Sequence, residues 1–485
     1  MISFVAGIID LSAIGFKEFP REDGGRGAIA LRNFNEGEIL FSISRSFTLS
    51  TKTSSLPTKF GLKAWKERKL DKGWSGLILC MMWENSLGSQ SKWGPYLATL
   101  PKNFDTPMFW NDTDLKELEG TAVVGKLGRD DAERDYHEKV LPAIQSRPDL
   151  FPPLAIPDFE EYHMMGSRIL SRSFNLERTS SSEGDAEDEE INPEGDKSTG
   201  SAMDVDSDAQ EEAKDIEDTS KEADDVLSED EDEENSVVSM VPMADLFNAR
   251  YGSENAKLFY DELHLKMITT KEIQAGEQIF NTYGDLSNGE LLRRYGHVDL
   301  LSLPGGMRGN PADVVEIGAD LVLSTFSEHT VSSSSTERID WWLEEGGDDV
   351  FILEMNNEIP QVMISFIRLL YLPADEWEKV REKGKPPRPK LNSQVLDLLI
   401  SVLKNCLARY PSTIEHDEEI LKSQNLALAK FHATVVRLGE RRIVTTTLEQ
   451  LQSWHRAECG EKGSTKRKQN SGSEGRKSSK KSKYA

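Results

Sequence analysis

The sequence predicts an α+β fold, with a β-rich domain split by a helical insert and followed by an all-α C-terminal domain. Three observations predict it. Short apolar runs bounded by glycine turns cluster in two separate places, before residue 50 and again between 237 and 283. From about Trp65 to Phe174 the pattern changes to dense or helically spaced apolar positions. From about Pro311 to Arg456 long amphipathic stretches repeat with the helical period.

In chain order, 1–75 is the first part of the β domain. Met1–Phe16 is apolar, but it lacks an early positive charge and carries Asp10, so it reads as a strand and turn and not as a leader peptide. Gly24-Gly25-Arg26-Gly27 forms a turn before the strand Ala28-Ile29-Ala30-Leu31, and Asn35-Glu36-Gly37 turns into the strand Ile39–Ile43. In the insert, 76–176, Leu77, Ile78, Cys80, Met81 and Met82 mark a densely apolar helix. Asp130–Val140 has the charge pattern of an exposed helix ending at Pro142. Residues 177–236 are acidic, rich in serine and nearly free of aromatics, the composition of a disordered insertion.

The β domain resumes over 237–300. Leu258-Phe259-Tyr260, Leu263–Thr269 and Glu277–Tyr283 read as strands, with a hairpin turn at Asp261-Glu262. Phe34–Leu40 and Ile273–Ile279 share one local pattern, a turn with Gly-Glu leading into a strand. Over 301–456, residues 395, 396, 399, 402, 403, 406 and 407 form one helical face, and Phe431, Val435 and Leu438 a second stripe. Residues 457–485 are expected to be a disordered basic tail, with nine Lys/Arg against one Glu from 462 onward.

Charge and cysteine usage narrow the function. The chain of 485 residues has a net charge of −26, but Glu177–Glu234 holds 26 acidic and 4 basic residues, which leaves only −4 for the rest. The balance disfavours tight binding to bare nucleic acid and leaves a basic protein substrate open. Cys80, Cys406 and Cys459 are far apart, which excludes a disulfide scaffold and a cysteine-rich zinc site. No apolar run reaches the roughly 18 residues of a membrane span. There is no Walker motif, no H-E-x-x-H and no G-x-S-x-G.

The densest polar and aromatic constellation is Asp245-Leu246-Phe247-Asn248, then Phe280-Asn281-Thr282-Tyr283-Gly284, then Arg294-Tyr295-Gly296. Each piece alone suits an ordinary turn. Their order is more specific: Gly25-Arg26-Gly27-Ala28-Ile29-Ala30, Gly37-Glu38-Ile39, Val241–Asn248, Gly276–Gly284 and Leu291–Gly296. This series resembles the SET-domain lysine methyltransferases. The helical stretch between the two halves and the helical domain after them resemble the Rubisco large-subunit methyltransferase subgroup, including its fungal ribosomal branch. The likeness covers roughly 24–174 and 237–300, and more weakly 311–456.

The resemblance implies a SET β-fold, a C-terminal substrate-binding domain and S-adenosyl-L-methionine as cofactor. By position it implies cofactor contacts at Gly24, Gly25, Arg26, Arg172, Asn248, Ala249 and Tyr295. Tyr283 matches the catalytic tyrosine, and Trp74, Ser173 and Asn175 fall where relatives meet the substrate. Many relatives carry His where this chain has Ala249, and the ribosomal branch resembles this chain in having Ala. Relatives also carry a helix ahead of the glycine turn, where this chain has 23 residues. No metal is expected.

The substrate expected from the resemblance is a protein lysine, in a basic large-subunit ribosomal protein. A non-ribosomal nuclear protein and a non-catalytic binding role for the fold are the alternatives. The clusters Lys466-Arg467-Lys468 and Lys480-Lys481-Ser482-Lys483 suit a nuclear-localisation signal, so the expectation is a monomer in the nucleus, present also in the cytoplasm.

Overall fold

A computed structural model of the chain describes residues 7–10, 12–19, 25–152, 158–177, 236–329, 335–423 and 425–470. Gly24, the acidic residues 178–235 and the end of the tail, 471–485, lie outside the described residues. The chain divides into two units: Met1–Thr113 with Val123–Pro311, and Asp114–Ala122 with Ala312–Ala485.

The first unit holds strands β1 (Gly7–Ile9), β2 (Ile14–Glu18), β3 (Arg26–Ala30), β4 (Ile39–Ser44), β5 (Ser173–Glu177), β6 (Ser236–Met240), β7 (Asn248–Ala249), β8 (Ala256–Tyr260), β9 (His264–Thr269), β10 (Gln278–Asn281), β11 (Leu301–Ser302) and β12 (Arg308–Gly309). One sheet runs β1-β4-β9-β8, antiparallel throughout. A second runs β2-β3-β10-β7, in which β10 is antiparallel to β3 and parallel to β7. Alternation along the strands sends Ala28 and Ala30 of β3, Phe41 and Ile43 of β4, and Leu265 and Met267 of β9 into one buried cluster, so the two sheets share a core.

The two Gly-Glu turns face each other. Phe34 and Ile273 exchange backbone hydrogen bonds of 2.9 and 3.0 Å. Gly37 and Gly276 have φ of 81° and 92°, a conformation that a side chain would strain. In each turn the glutamate folds back: Glu38 accepts from the Asn35 N–H and Glu277 from the Gln274 N–H, both at 2.8 Å. The shared motif is therefore one turn design used twice.

The insert is helical. Ser75–Ser86 is buried from Ser75 to Glu84 and is apolar nearly all round, as a helix enclosed by its neighbours must be. Its one buried charge, Glu84, accepts hydrogen bonds from Ser54 (2.8 Å) and Ser91 (2.6 Å). Helix begins earlier than position 76, at Leu56–Phe60 and Leu62–Glu67. The expected end at Pro142 is not an end. Arg129–Asp135 passes through a π turn, Tyr136–Val140, into a helix Leu141–Ser146 whose first turn holds Pro142. Pro142 has no N–H for the ladder and its ring crowds the turn before it, and the wider π turn, with the Leu141 N–H bonded to the Tyr136 carbonyl, lets the helix continue past it. The helix Phe159–Arg172 then stops at β5, which pairs antiparallel with β6, Glu177 opposite Ser236. The acidic insertion thus departs from and returns to one pair of strands.

The second unit is mainly helical, with a two-stranded antiparallel sheet, β13 (Val314–Gly318) and β14 (Val350–Glu354), that helical periodicity does not reveal. Ser393–Ala408 buries Val395, Leu396, Leu399, Val402, Leu403 and Cys406 of the predicted face and leaves its seventh member, Leu407, half-buried, while Leu398 beside that face is buried as well. The last helix, Leu428–Asn470, runs past position 457, where the tail was expected to start. Lys, Arg, Gln and Glu are good helix formers, so a polar composition does not itself break a helix. Segment Asp114–Ala122 is tied to this unit by Arg437, 1% exposed, which donates to both oxygens of Asp417 (3.0 and 2.6 Å) and to the Glu117 carbonyl (2.5 Å).

Removing one partner of this buried pair leaves the other charge without compensation. Arg437→Ala is expected to destabilise the second unit by about 3–5 kcal/mol, read from its denaturant unfolding transition. An Arg437→Met, Asp417→Leu double variant is expected to lose less than Arg437→Ala alone.

Candidate active site

Strand β10 assembles the site. Its register sets Phe280 beside Asn248 and Asn281 beside Ala249 on one side, and Gln278 opposite Ile29 on the other. Tyr283 follows two residues after the strand. Its ring stacks on Tyr295 with centroids 4.0 Å apart and planes 3° from parallel, and its hydroxyl donates to the Phe247 carbonyl at 3.3 Å. Tyr295 is held there by the helix Asn288–Tyr295, capped by Ser287 and closed by Gly296 at φ 75°. Thr282, Tyr283 and Ala249 line an open pocket with Arg250, Asp285 and Leu291.

Arg172, the last residue of its helix, donates from Nη1 to the Asp245 carbonyl at 2.5 Å. The Asp245 carboxyl is buried and accepts the Tyr96 hydroxyl at 2.9 Å, while its second oxygen and Arg172 Nε have no partner among the described residues. Burial pushes the Asp245 carboxyl up to about 6, against the opposing pull of Arg172 and the Tyr96 hydrogen bond. Burial also raises Tyr283, with Arg172 opposing and Asp245 assisting. Tyr283 is therefore a neutral phenol at physiological pH, able to orient a group by hydrogen bonding but not poised as a strong base. The segment leading in is strained: Met243 has φ 76° and ψ −43°, unfavourable for a side chain other than glycine.

The structure brings Tyr283, Tyr295, Arg172, Asn248 and Ala249 together through these contacts and strand pairs. Gly25 (φ 64°) and Arg26 stand at the entry to β3, with the Arg26 guanidinium 5.4 Å from the Phe16 ring. Ser173 and Asn175 lie on β5, opposite Met240 and Val238. The Ser173 hydroxyl is buried without a partner among the described residues. Trp74 is half-buried at the start of its helix and packs against the helical core of the insert.

In the sequence Gly27 reads only as part of its turn. A Cβ there would lie 2.7 Å from Asn248 Nδ2, which is itself buried and has no partner among the described residues. This donor above a side-chain-free position fits the amino-acid end of the expected cofactor, which offers acceptor oxygens. Tyr96 carried no local signal, because a tyrosine in an apolar helix reads as core until its partner Asp245, 149 residues away, is placed beside it.

Asp245 has a consequence for stability. Its folded pKa exceeds the ordinary carboxylate value of 3.8, so the native state keeps a proton that the unfolded chain releases. The stability it contributes is full below about pH 4 and is lost as pH rises to about 6, on the order of 3 kcal/mol in all. Asp245→Asn is expected to remove this slope, so that the variant gains on the wild type between those pH values in unfolding titrations of the full chain.

Comparison with known proteins fits this geometry. The SET domain family matches residues 25–284, more than half of the chain, and the Rubisco LSMT substrate-binding family matches 328–444. Ribosomal lysine N-methyltransferase 4 of Saccharomyces cerevisiae is 30% identical over 293 residues, 59% of this chain and only about half, 51%, of that protein. Human N-lysine methyltransferase SETD6 is 26% identical over 462 residues, covering 88% of this chain and 84% of its own. The crystal structure of the LSMT SET domain bound to lysine and AdoHcy superposes with a TM-score of 0.62 at 17% identity, over 92% of this chain and 88% of that one. Rubisco LSMT bound to AdoMet gives 0.61, also at 17% identity, over 92% and 89%. These likenesses establish the same fold. With the SET motifs meeting on β10 and the second family following in order, the chain belongs to the SET-domain family of S-adenosylmethionine-dependent protein-lysine methyltransferases, in the branch that carries a Rubisco LSMT substrate-binding domain.

Proposed function

We propose that this enzyme methylates a lysine of a basic large-subunit ribosomal protein. The observation that carries the proposal is the 30% identity with the yeast ribosomal lysine N-methyltransferase, which exceeds the 26% with human SETD6. Ala249, the residue shared with the ribosomal branch, points the same way. A second reading, a non-ribosomal nuclear substrate, is favoured by the longer alignment with SETD6, 88% of this chain against 59%. The basic clusters near the C-terminus support a nuclear location, and we take the enzyme to act as a monomer.

In this proposal Tyr283 is the catalytic residue. Gly24, Gly25, Arg26, Arg172, Asn248, Ala249 and Tyr295 serve the cofactor, and Trp74, Ser173 and Asn175 the substrate. When bound, S-adenosylmethionine supplies an electrophilic sulfonium methyl. A lysine has a reference pKa near 10.4 and must present its neutral amine. Removal from water against the Tyr283 ring, itself backed by Tyr295, would favour that form. The neutral Tyr283 hydroxyl, anchored on the Phe247 carbonyl, keeps lone pairs to orient the amine. Positioning of this kind supplies roughly 7–11 kcal/mol, enough to proceed without a strong general base.

The test is mass spectrometry of ribosomal proteins from cells lacking the enzyme, after incubation with it and S-adenosylmethionine. The expected result is added methyl on one lysine of a large-subunit protein, reduced on the order of 10²-fold in rate with Tyr283→Phe. Methyl appearing only on nuclear non-ribosomal proteins would move the substrate to the second reading. Separately, Gly27→Ala drives a methyl into the Asn248 amide. It is expected to weaken S-adenosylhomocysteine binding about tenfold, measured by calorimetry, with a far smaller change in unfolding temperature.

A further inference from the structure

Asp245 is gripped twice. Arg172 Nη1 donates to its backbone carbonyl at 2.5 Å, and the Tyr96 hydroxyl donates to its carboxyl Oδ2 at 2.9 Å. Tyr96 and Asp245 are both buried. Asp245 is the middle residue of one 3-10 turn, Ala244–Leu246, which follows the strained Met243 and leads into Phe247 and Asn248. The backbone bonds of this turn are long: Asp245 N–H to the Val241 carbonyl and Phe247 N–H to the Ala244 carbonyl are both 3.4 Å, and only Leu246 N–H to the Met243 carbonyl is shorter, 3.1 Å. Long bonds and a strained residue do not hold a turn by themselves, so its shape depends on side chains that anchor it from outside.

Tyr96 is placed to be such an anchor. It lies on the short helix Gly94–Leu97, within the apolar core of the insert. A Cβ on Gly94 would lie 2.2 Å from the Gly88 carbonyl oxygen, so the helix is packed closely on the turn before it. Trp93 ahead of it donates from Nε1 to the Phe47 carbonyl at 2.8 Å. A phenylalanine would fill the same apolar place, so packing does not account for the Tyr96 hydroxyl and its bond to Asp245 does. The other end of the turn reaches the tyrosine pair, because the Phe247 carbonyl accepts the Tyr283 hydroxyl at 3.3 Å. That is long for an O–H···O bond, so a shift of roughly a few tenths of an ångström in the turn decides whether it is made.

We propose that Tyr96 is a positioning residue for methyl transfer: by holding Asp245 it sets the turn whose Phe247 carbonyl aims the Tyr283 hydroxyl. The proposal rests on the reading that Tyr283 is the catalytic residue. Tyr96 acts through Asp245 and Phe247 and takes no part in the chemical step.

The test is the rate of methyl transfer from S-adenosylmethionine, with the full chain in excess, to whichever protein fraction of cells lacking the enzyme, ribosomal or nuclear, accepts methyl from the wild type. Tyr96→Phe removes one oxygen and is expected to slow transfer about tenfold, while S-adenosylhomocysteine affinity by calorimetry stays within about threefold. With Tyr283→Phe already present there is no hydroxyl to aim, and adding Tyr96→Phe is expected to cost less than about twofold. The same loss in both backgrounds would make Tyr96 a structural residue and overturn the proposal. Full rate with Tyr96→Phe beside a slow Tyr283→Phe would overturn it and leave the catalytic reading of Tyr283 standing. Full rate with Tyr283→Phe would remove that reading and the proposal with it. The link is also read from its other end, should Tyr96→Phe fold poorly. Asp245→Asn keeps an acceptor for the Tyr96 hydroxyl and is expected to transfer methyl about fivefold faster than Asp245→Leu, which removes it; equal rates would overturn the proposal. The bond itself has a readout that needs no substrate. It pulls the Asp245 carboxyl down against burial, so the loss of stability with rising pH that ends near pH 6 in the wild type is expected to extend to higher pH in Tyr96→Phe. An unchanged profile would show that the bond is not made in solution, and would overturn the proposal.

Discussion

The site depends on one four-residue strand having two neighbours of opposite sense. β10 lies antiparallel to β3 and parallel to β7, and this places Gly27, Asn248, Gln278 and Tyr283 within one region although more than 200 residues separate the first from the others. The register is the constraint. Side chains alternate with a period of two, so a slip of one residue would turn Gln278 and Phe280 to the far face and bring Ile279 into the site. The buried positions of Ile279 and Asn281 against the half-buried Gln278 and Phe280 hold that register, because a slip would also expose the core. The paired Gly-Glu turns, joined by the Phe34–Ile273 bridge, fix the approach of β10 from behind.

The electrostatics of the site are those of a holder and not of a proton-transfer device. A buried carboxyl raised to about 6, a phenol raised above its ordinary value and a guanidinium bound to a backbone carbonyl all favour fixed geometry. Methyl transfer to a neutral amine asks for that: alignment, exclusion of water and a few acceptors for polarised hydrogens. The strained backbone at Met243 lies in the segment that supplies the Asp245 and Phe247 carbonyls to Arg172 and Tyr283, so the strain sits where the carbonyls must be aimed.

The second unit is built on different terms. Its core is a continuous apolar cluster from several helices and the β13–β14 pair, and segment Asp114–Ala122 is tied to it through Glu117, whose carbonyl accepts from the buried Arg437 and whose carboxylate pairs with Lys430. Arg437 satisfies the Asp417 carboxylate and a carbonyl at once, which offsets the cost of removing both charges from water.

Local order was legible in the chain: the helices from their spacing, the hairpin at Asp261-Glu262, the turns from their glycines, and the site from motifs that follow one another in a family-specific sequence. These features rest on interactions between near neighbours, or on residue types whose backbone needs are strict. The strand β5, the β13–β14 sheet and the segment that joins the second unit were not legible, because each is decided by a partner distant in sequence. The same holds inside the site. Tyr283 and Asn248 stand in recognisable motifs, whereas the Tyr96–Asp245 hydrogen bond and the amide of Gln278 beside Gly27 exist only once the strands are paired. Residue order carried the chemistry that the chain can perform. Packing decided which donors were left without partners, because hydrogen-bond satisfaction is a property of neighbours in space.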